Sequence, residues 1–144
     1  MAVATSNVLD GLFSHLTGDS TFNTAVGGTA SSAGRIRYGL ADQEETAPYV
    51  VFDLIDDTFA GTETFAKQGF HMRVQFRIYG GPHTDPSDLM DVEDKLRARL
   101  HRASPFSVTG HTVTGSVRDQ MRGPFREEDV WRIDADYMID GFEN

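Results

Sequence analysis

The chain has 144 residues, no cysteine and a formal net charge of -9, from 22 acidic against 13 basic residues. That length suffices for one domain without disulfides or a structural metal, and the lack of cysteine excludes thiolate zinc sites and cysteine nucleophiles. The acid excess argues against DNA as a primary ligand, because a duplex is bound mainly through its negatively charged phosphates.

The bulk composition, with 39% hydrophobic and 24% charged residues, is ordinary for a soluble globular protein. No apolar run approaches the roughly 20 residues that span a bilayer. The first residues carry no positive charge ahead of an apolar stretch, as a secretory signal would. We therefore expect a single domain over residues 1–144, in the cytoplasm and without membrane contact.

Two helices are predicted at the start of the chain. Over residues 6–16 apolar side chains recur at the i, i+3, i+4, i+7 spacing of one helical face, with Ser6 or Asn7 as N-cap. Asp19 is placed to cap a short second helix. The following run Gly27–Gly34 consists of small and polar residues and predicts a flexible loop.

Strand composition dominates much of the remaining chain. Apolar and polar residues alternate strictly over residues 70–79 and again near the C-terminus, which predicts strands with one buried and one polar face. The polar stretch Asp56–Gln68 is interpreted as either a long hairpin arm or a mobile loop, and Arg122–Pro124 as a turn. The predicted strands are Arg35–Tyr38, Tyr49–Ile55, Phe70–Tyr79, Thr112–Met121 and Val130–Asp140.

A third helix is predicted after Asp85–Pro86, an N-cap residue followed by proline at the first helical position. Its apolar stripe ends at Leu100, and its charges match the helix dipole at both ends. Because strands occur on both sides of this helix, the predicted class is α+β. We expect an antiparallel or mixed sheet of four to five strands, with the N-terminal helix and the long helix packed on one face.

The polar faces of two predicted strands carry opposite charges. Arg73 and Arg77 alternate with apolar residues on one strand, and Asp134 and Asp136 do so on the other. If the two strands are neighbours, these charges pair across the sheet. If they are not, the same charges face another subunit.

Motifs of known chemistry are missing from the sequence. The five histidines are scattered without metal-ligand spacing, and neither a phosphate loop nor a nucleophile elbow occurs. We expect no catalytic residues, no cofactor and no metal, with the acids at 53–57 and 127–129 as solvated charge at strand ends. The enzymatic alternative is a small metal-dependent hydrolase that uses Asp53, Asp56 and His71.

The order of elements resembles a known family. The second helix and its flanks read TGDSTFNTAVGG, followed by RIRYGLADQEETAPYVVFDLIDD, GFHMRVQFRIYGG and the helix DLMDVEDKLRARLHR. Together with the first helix, these segments are similar to the small tail-completion proteins of long-tailed phages, prophages and gene transfer agents, also called tail terminators or tail-to-head joining proteins. The similarity runs from about Val8 to Arg102 and continues more loosely through the last strands.

The resemblance implies a structural, non-enzymatic protein that forms a homo-oligomeric ring, commonly a hexamer. Such a ring terminates the tail tube at its head-proximal end and joins it to the head connector or stopper protein. DNA would pass through the lumen without specific binding, which suits an acidic surface. The implied location is the host cytoplasm during assembly and then the neck of the particle. The alternative is another neck component, a head-completion or connector-stopper protein.

Subunit contacts are the site that this interpretation predicts. A closed ring needs a heterologous interface in which one patch meets a different patch of the neighbour. We expect the arm 56–68 to contact a neighbouring subunit or the tail tube, because it holds two phenylalanines in polar surroundings. The predicted interface residues are Arg73, Arg77, Asp134, Asp136, Phe59 and Phe65.

Overall fold

The computed structural model of the chain describes residues 5–39, 46–64, 67–81, 83–103, 105–108, 110–127 and 130–144. Side chains are described throughout these ranges except at residues 5, 57–64, 67, 68 and 127. The acidic connector 40–45 and Phe65 therefore lie outside the described residues, as does the Phe59 side chain.

Three helices form where the apolar periodicity predicted them: α1 (Thr5–Thr17), α2 (Ser20–Ala25) and α3 (Pro86–Leu100). Helix α1 begins at Thr5, so Ser6 and Asn7 lie inside the helix and the predicted N-cap is wrong. The other two caps are confirmed. Asp19 accepts a hydrogen bond from Thr21 N at 3.4 Å, and Asp85 accepts one from Ser87 N at 2.9 Å.

The strands form one mixed sheet in the order β1-β2-β3-β6-β5-β4. Strand β1 runs parallel to β2, and every other neighbouring pair is antiparallel. The strands are β1 (Ile36–Tyr38), β2 (Tyr49–Thr64), β3 (Lys67–Gly80), β4 (Phe106–Val108), β5 (His111–Glu127) and β6 (Val130–Glu143).

The α+β class is confirmed, but the expected four to five strands are too few, because the described residues form six. The strand that the sequence did not reveal is β4, which covers only the first three residues of β5. A strand of three residues is too short to show a period of two, so its pattern carries no signal.

The predicted turn at Arg122–Pro124 is also wrong, because β5 continues through it to Glu127. The pairing with β6 shifts between Arg122 and Phe125, which marks a bulge rather than a chain reversal. Gly123 adopts a φ of 104° there, a conformation that glycine reaches without steric cost. Glycine and proline are as characteristic of a bulge in an edge-proximal strand as of a turn.

All three helices lie on the same face of the sheet, where their apolar residues and those of the strands form one buried cluster. The ring of Phe76 meets that of Tyr137 edge to face, with centroids 5.5 Å apart. Helix α1 approaches β4 so closely that a Cβ on Gly11 would lie 2.6 Å from a methyl group of Val108. The helix residues of this core are Val8, Leu9, Leu12, Leu16, Phe22, Leu89, Val92, Leu96 and Leu100.

Strands β2 and β3 form a long hairpin. Their pairing continues from Tyr49 opposite Tyr79 to Thr64 opposite Lys67, with shifts after Leu54 and Phe59. Of the two interpretations of 56–68, the hairpin arm is therefore the one that the backbone adopts. No helix in the described part of the chain is long and apolar enough to cross a membrane.

Candidate functional site: the polar face of the sheet

The face of the sheet that points away from the helices carries the charges that the alternation singled out. Strands β3 and β6 are neighbours, with Arg77 opposite Asp134 and Gln75 opposite Asp136. The two strands are thus neighbours, which is what pairing of their charges across the sheet requires. Asp134 and Asp136 are each only 8% exposed, so these carboxylates are enclosed by their neighbours on this face.

Arg73 connects three strands of this face. Its guanidinium donates to Asp119 of β5 at 2.7 Å and lies 3.6 Å from Asp136 of β6. The hydrogen bond to Asp119 raises the pKa of Arg73 above its usual value. Arg73 therefore reaches past β6 and ties β3 to β5 with charge-assisted contacts.

The second arginine of β3, Arg77, contacts the neighbouring strand on the other side, β2. Arg77 pairs with Asp53 of β2 and lies 3.3 Å from the Tyr79 hydroxyl. Asp134, which the register places opposite Arg77, has its ion pair with Arg132 at 3.0 Å. The charged residues predicted on this face therefore form ion pairs within the chain. Their partners are not always the residues directly opposite on the neighbouring strand.

The three residues considered for a hydrolase are only partly brought together, because Asp56 lies opposite Arg73, two residues from His71, whereas Asp53 lies farther along β2. Asp53 pairs with Arg77 and His71 pairs with Asp140. Asp53 lies opposite Gln75, four residues from His71 along β3, which corresponds to roughly 13 Å. Among the residues whose side chains are described, no three of His, Asp or Glu are grouped as metal ligands would be.

Two long-range contacts that sequence reasoning missed lie on the helix side. Glu93 of α3 is 2% exposed and accepts a hydrogen bond from Arg118 of β5 at 2.8 Å. That bond raises the pKa of Arg118, while burial raises the pKa of the nearby Tyr137. Glu93 follows Val92 in α3. In the sequence, only its position on the buried side of the helix could have indicated that it forms a buried ion pair.

The second missed contact joins α1, α3 and β4. The His15 ring stacks on Phe106 at 3.7 Å, and Arg99 donates to the backbone oxygen of His15 at 3.0 and 3.1 Å. Burial and the neighbouring Arg99 cation lower the pKa of His15 from 6.5 to about 4. A surface cavity of about 380 Å³ adjoins this cluster.

The glycine-rich segment after α2 is arranged around one side chain. The Asn23 amide donates to the carbonyl oxygens of Thr29 and Ser32, both at 3.1 Å, and its oxygen accepts from Gly34 N at 2.6 Å. Asn23 is 5% exposed. The segment Gly27–Gly34 is thus held against α2 by hydrogen bonds between its backbone and the Asn23 side chain, and its flexibility stays a prediction.

The architecture is that of a two-layer α+β domain, with three helices on one face of a mixed sheet and an ion-pair network on the other. No protein-family model and no curated protein matches the sequence. Among solved structures, the fold is similar to a chain of the virion of a native gene transfer agent particle, with a TM-score of 0.71. That alignment covers 99% of both chains at 14% sequence identity, and it establishes a shared fold.

Proposed function

We propose that this protein is a structural component of a phage-like particle that forms a ring at the head-proximal end of the tail, terminates the tail tube and joins it to the head connector. The observation that carries the proposal is the likeness to a virion chain over 99% of both chains. Because the alignment covers nearly all of both chains, the two proteins share the fold of the whole domain rather than one common motif.

The residues of the site support an assembly role more than a catalytic one. The charged side chains of the polar face are engaged with one another, and among the described side chains Asp53, Asp56 and His71 are not grouped as metal ligands would be. The end of the β2–β3 hairpin continues past Gly69, the last residue of β3 that pairs with β6, and so offers a surface beyond the rest of the sheet. We therefore propose that the protein is not an enzyme and that its partners are further copies of itself, the tail tube protein and the head connector or stopper protein.

Deletion of the gene in a particle-producing strain tests the role. We expect filled heads separated from tails of irregular length in electron micrographs, and joined particles after complementation. In wild-type preparations that are dissociated into heads and tails, the protein should remain with the tails. Recovery with the heads would favour a head-completion or connector-stopper protein. Normal particles from the deletion strain would refute both assignments.

The predicted interface residues Arg73, Arg77, Asp134 and Asp136 are proposed to act from the polar face, and Phe59 and Phe65 from the arm. The Arg73→Ala variant distinguishes a role of Arg73 in a subunit contact from a role in contacts within the chain. If Arg73 acts only within the chain, the variant should unfold at lower urea concentration yet keep the ring mass of the wild type. Loss of the ring at unchanged stability would place Arg73 in the interface. Native mass spectrometry and urea unfolding make the distinction, with Arg97→Ala on α3 as the control.

A further inference from the structure

The two edges of the sheet differ in how far they are covered. Strand β1 pairs with β2 only from Val50 to Phe52. Over the described residues no strand lies along the outer side of β2 beyond that point. This edge, Asp53–Thr64, has no neighbouring strand in the described structure and spans about 40 Å at roughly 3.3 Å per residue. A long strand edge with open backbone groups is a template for pairing with another chain.

The hydrogen bonds at the start of β2 define which backbone groups point outward. Val50 N donates to Arg35 O at 2.9 Å, and Phe52 O accepts from Gly39 N at 3.0 Å. Continued through the bulge after Leu54, this alternation points the backbone N–H of Asp57 away from β3. The edge therefore offers donors and acceptors that the hairpin itself does not use.

Apolar groups accompany this open edge. Tyr38 is 57% exposed and Ile55 is 53% exposed, which makes them the two most exposed large hydrophobic side chains among those described. A groove of about 330 Å³ lies beside Tyr38, between α1 and β1. It is lined by Leu9, Asp10, Phe13, Ile36, Arg37, Tyr38 and Phe52. Exposed apolar groups beside open backbone groups are characteristic of a surface that binds another protein.

The opposite edge of the sheet is covered for longer and carries the opposite charge. Strand β4 covers His111–Val113, and the end of α3 then follows β5: Arg102 N donates to Ser116 O at 2.6 Å, and Arg118 N donates to His101 Nδ1 at 2.9 Å. Past that point β5 is the last strand of the sheet in the described structure.

The charges of the two edges indicate which surface of another copy binds to each edge. The β2 edge 53–64 has four acids and no basic residue, whereas the β5 segment 118–126 has three arginines and one acid. Two β2 edges would bring like charges together, which is unfavourable across a strand pair. A β2 edge against the β5 edge of another copy brings unlike charges together, and because the two edges differ, the contact is heterologous and can close a ring.

We propose that the β2 edge of one copy pairs with the β5 edge of the next, so that the sheets of neighbouring subunits continue into one another. This inference rests on the proposed ring and specifies its interface. It adds the strand edges to the contacts proposed above for the polar face and the arm.

Thiol cross-linking tests the pairing, because the chain has no cysteine of its own. A variant with both Ile55→Cys and Gln120→Cys, both exposed positions, is treated at high protein concentration with a short bis-maleimide. We expect a ladder of dimers, trimers and higher species up to the ring, and none from either single variant. The matched control combines Ile55→Cys with Met90→Cys on α3, which is 45% exposed, and should give no ladder.

Other outcomes overturn the inference. A dimer from Ile55→Cys alone would mean that two β2 edges meet each other. The absence of a ladder from the double variant would refute edge pairing, and native mass spectrometry of the same sample then shows whether a ring forms by another surface. A ladder from a protein that is absent from both tails and necks would keep the edge pairing and refute the tail role.

A backbone variant gives independent support. Asp57→Pro removes an outward N–H, whereas Asp57→Ala removes the same charge and keeps the N–H. In the double-cysteine background we expect Asp57→Pro to lower the ladder yield about tenfold relative to Asp57→Ala, because the outer hydrogen bond is lost and its acceptor is left unpaired. Equal yields, with thermal unfolding showing both variants folded, would contradict strand pairing at this edge.

Discussion

At the scale of single residues, His15 has a structural role that the neighbouring sequence does not indicate. Its ring is stacked on Phe106 and its backbone oxygen accepts two hydrogen bonds from Arg99. Both burial and the arginine favour the neutral imidazole, which explains a pKa of about 4. Protonation of the ring therefore costs more free energy in the folded protein than in the unfolded chain.

The first prediction concerns pH. Because the folded-state pKa of His15 lies below its unfolded value, the unfolded chain binds the proton more readily, and stability falls as the pH drops from about 6.5 towards 4. We expect the wild type to lose about 1 kcal/mol more than His15→Gln between pH 7 and pH 5, allowing for the partial exposure of the ring. Urea unfolding at both pH values measures the difference. Parallel losses would show that His15 titrates normally in the folded protein.

The second prediction concerns Gly141 of β6. A Cβ there would overlap the carbonyl oxygen of Thr112 and lie 2.6 Å from Cζ of Phe70. We expect Gly141→Ala to destabilise the protein by about 2–3 kcal/mol, because the backbone and a fully packed ring must both shift. Gly115 is the matched control, since its added Cβ would meet nothing closer than 3.8 Å. Gly115→Ala should stay within about 0.5 kcal/mol of the wild type. Similar unfolding midpoints for the two variants would contradict the close approach.

At the scale of elements, the sequence predicted what is periodic and missed what is short or long-range. The strict alternation in β3 and the capped stripe of α3 predicted both elements and the faces that they bury. Strand β4 has too few residues for a pattern, and Gly123–Pro124 has the composition of a turn although it forms a bulge. Alternation also predicted a charged face, but not that bulges in β5 bring Asp119 within reach of Arg73. Such pairings depend on register, which no local pattern encodes.

The hairpin arm is the element whose removal is most informative. Because residues 61–67 lie past Gly69, where the pairing of β3 with β6 ends, and past Phe70, the last β3 residue of the described buried cluster, deleting them should leave the domain folded. We expect the shortened protein to fail in ring formation or in joining tails to heads. Circular dichroism verifies the fold, native mass spectrometry the ring, and electron microscopy of complemented particles the joining. If the deletion leaves ring and particles intact, the proposed contact of the arm with a neighbouring subunit or the tail tube is wrong.

At the scale of the whole molecule, the net charge of -9 predicts how the protein treats DNA. A surface of this charge repels phosphates, so we expect no saturable binding of duplex DNA at physiological salt below roughly 10⁻⁴ M, the weak end of non-specific binding. Fluorescence anisotropy with a labelled duplex measures this, with a basic DNA-binding domain as the positive control. Micromolar binding that weakens steeply with salt would contradict a lumen through which DNA passes without being held.

The ion pairs of the polar face also bear on how the domain carries mechanical load. Arg73 reaches across β6 to β5, and Arg77 holds β2, so the central strands are braced against sliding along one another. Past Gly69, which lies opposite Phe142, β3 no longer pairs with β6, and the β2–β3 pairing shifts between Phe59 and Glu63. Beyond that point the described hairpin is held to the sheet only through its own two strands. A force applied to the end of the arm should therefore bend the hairpin near this shift and leave the ion-paired strands in register.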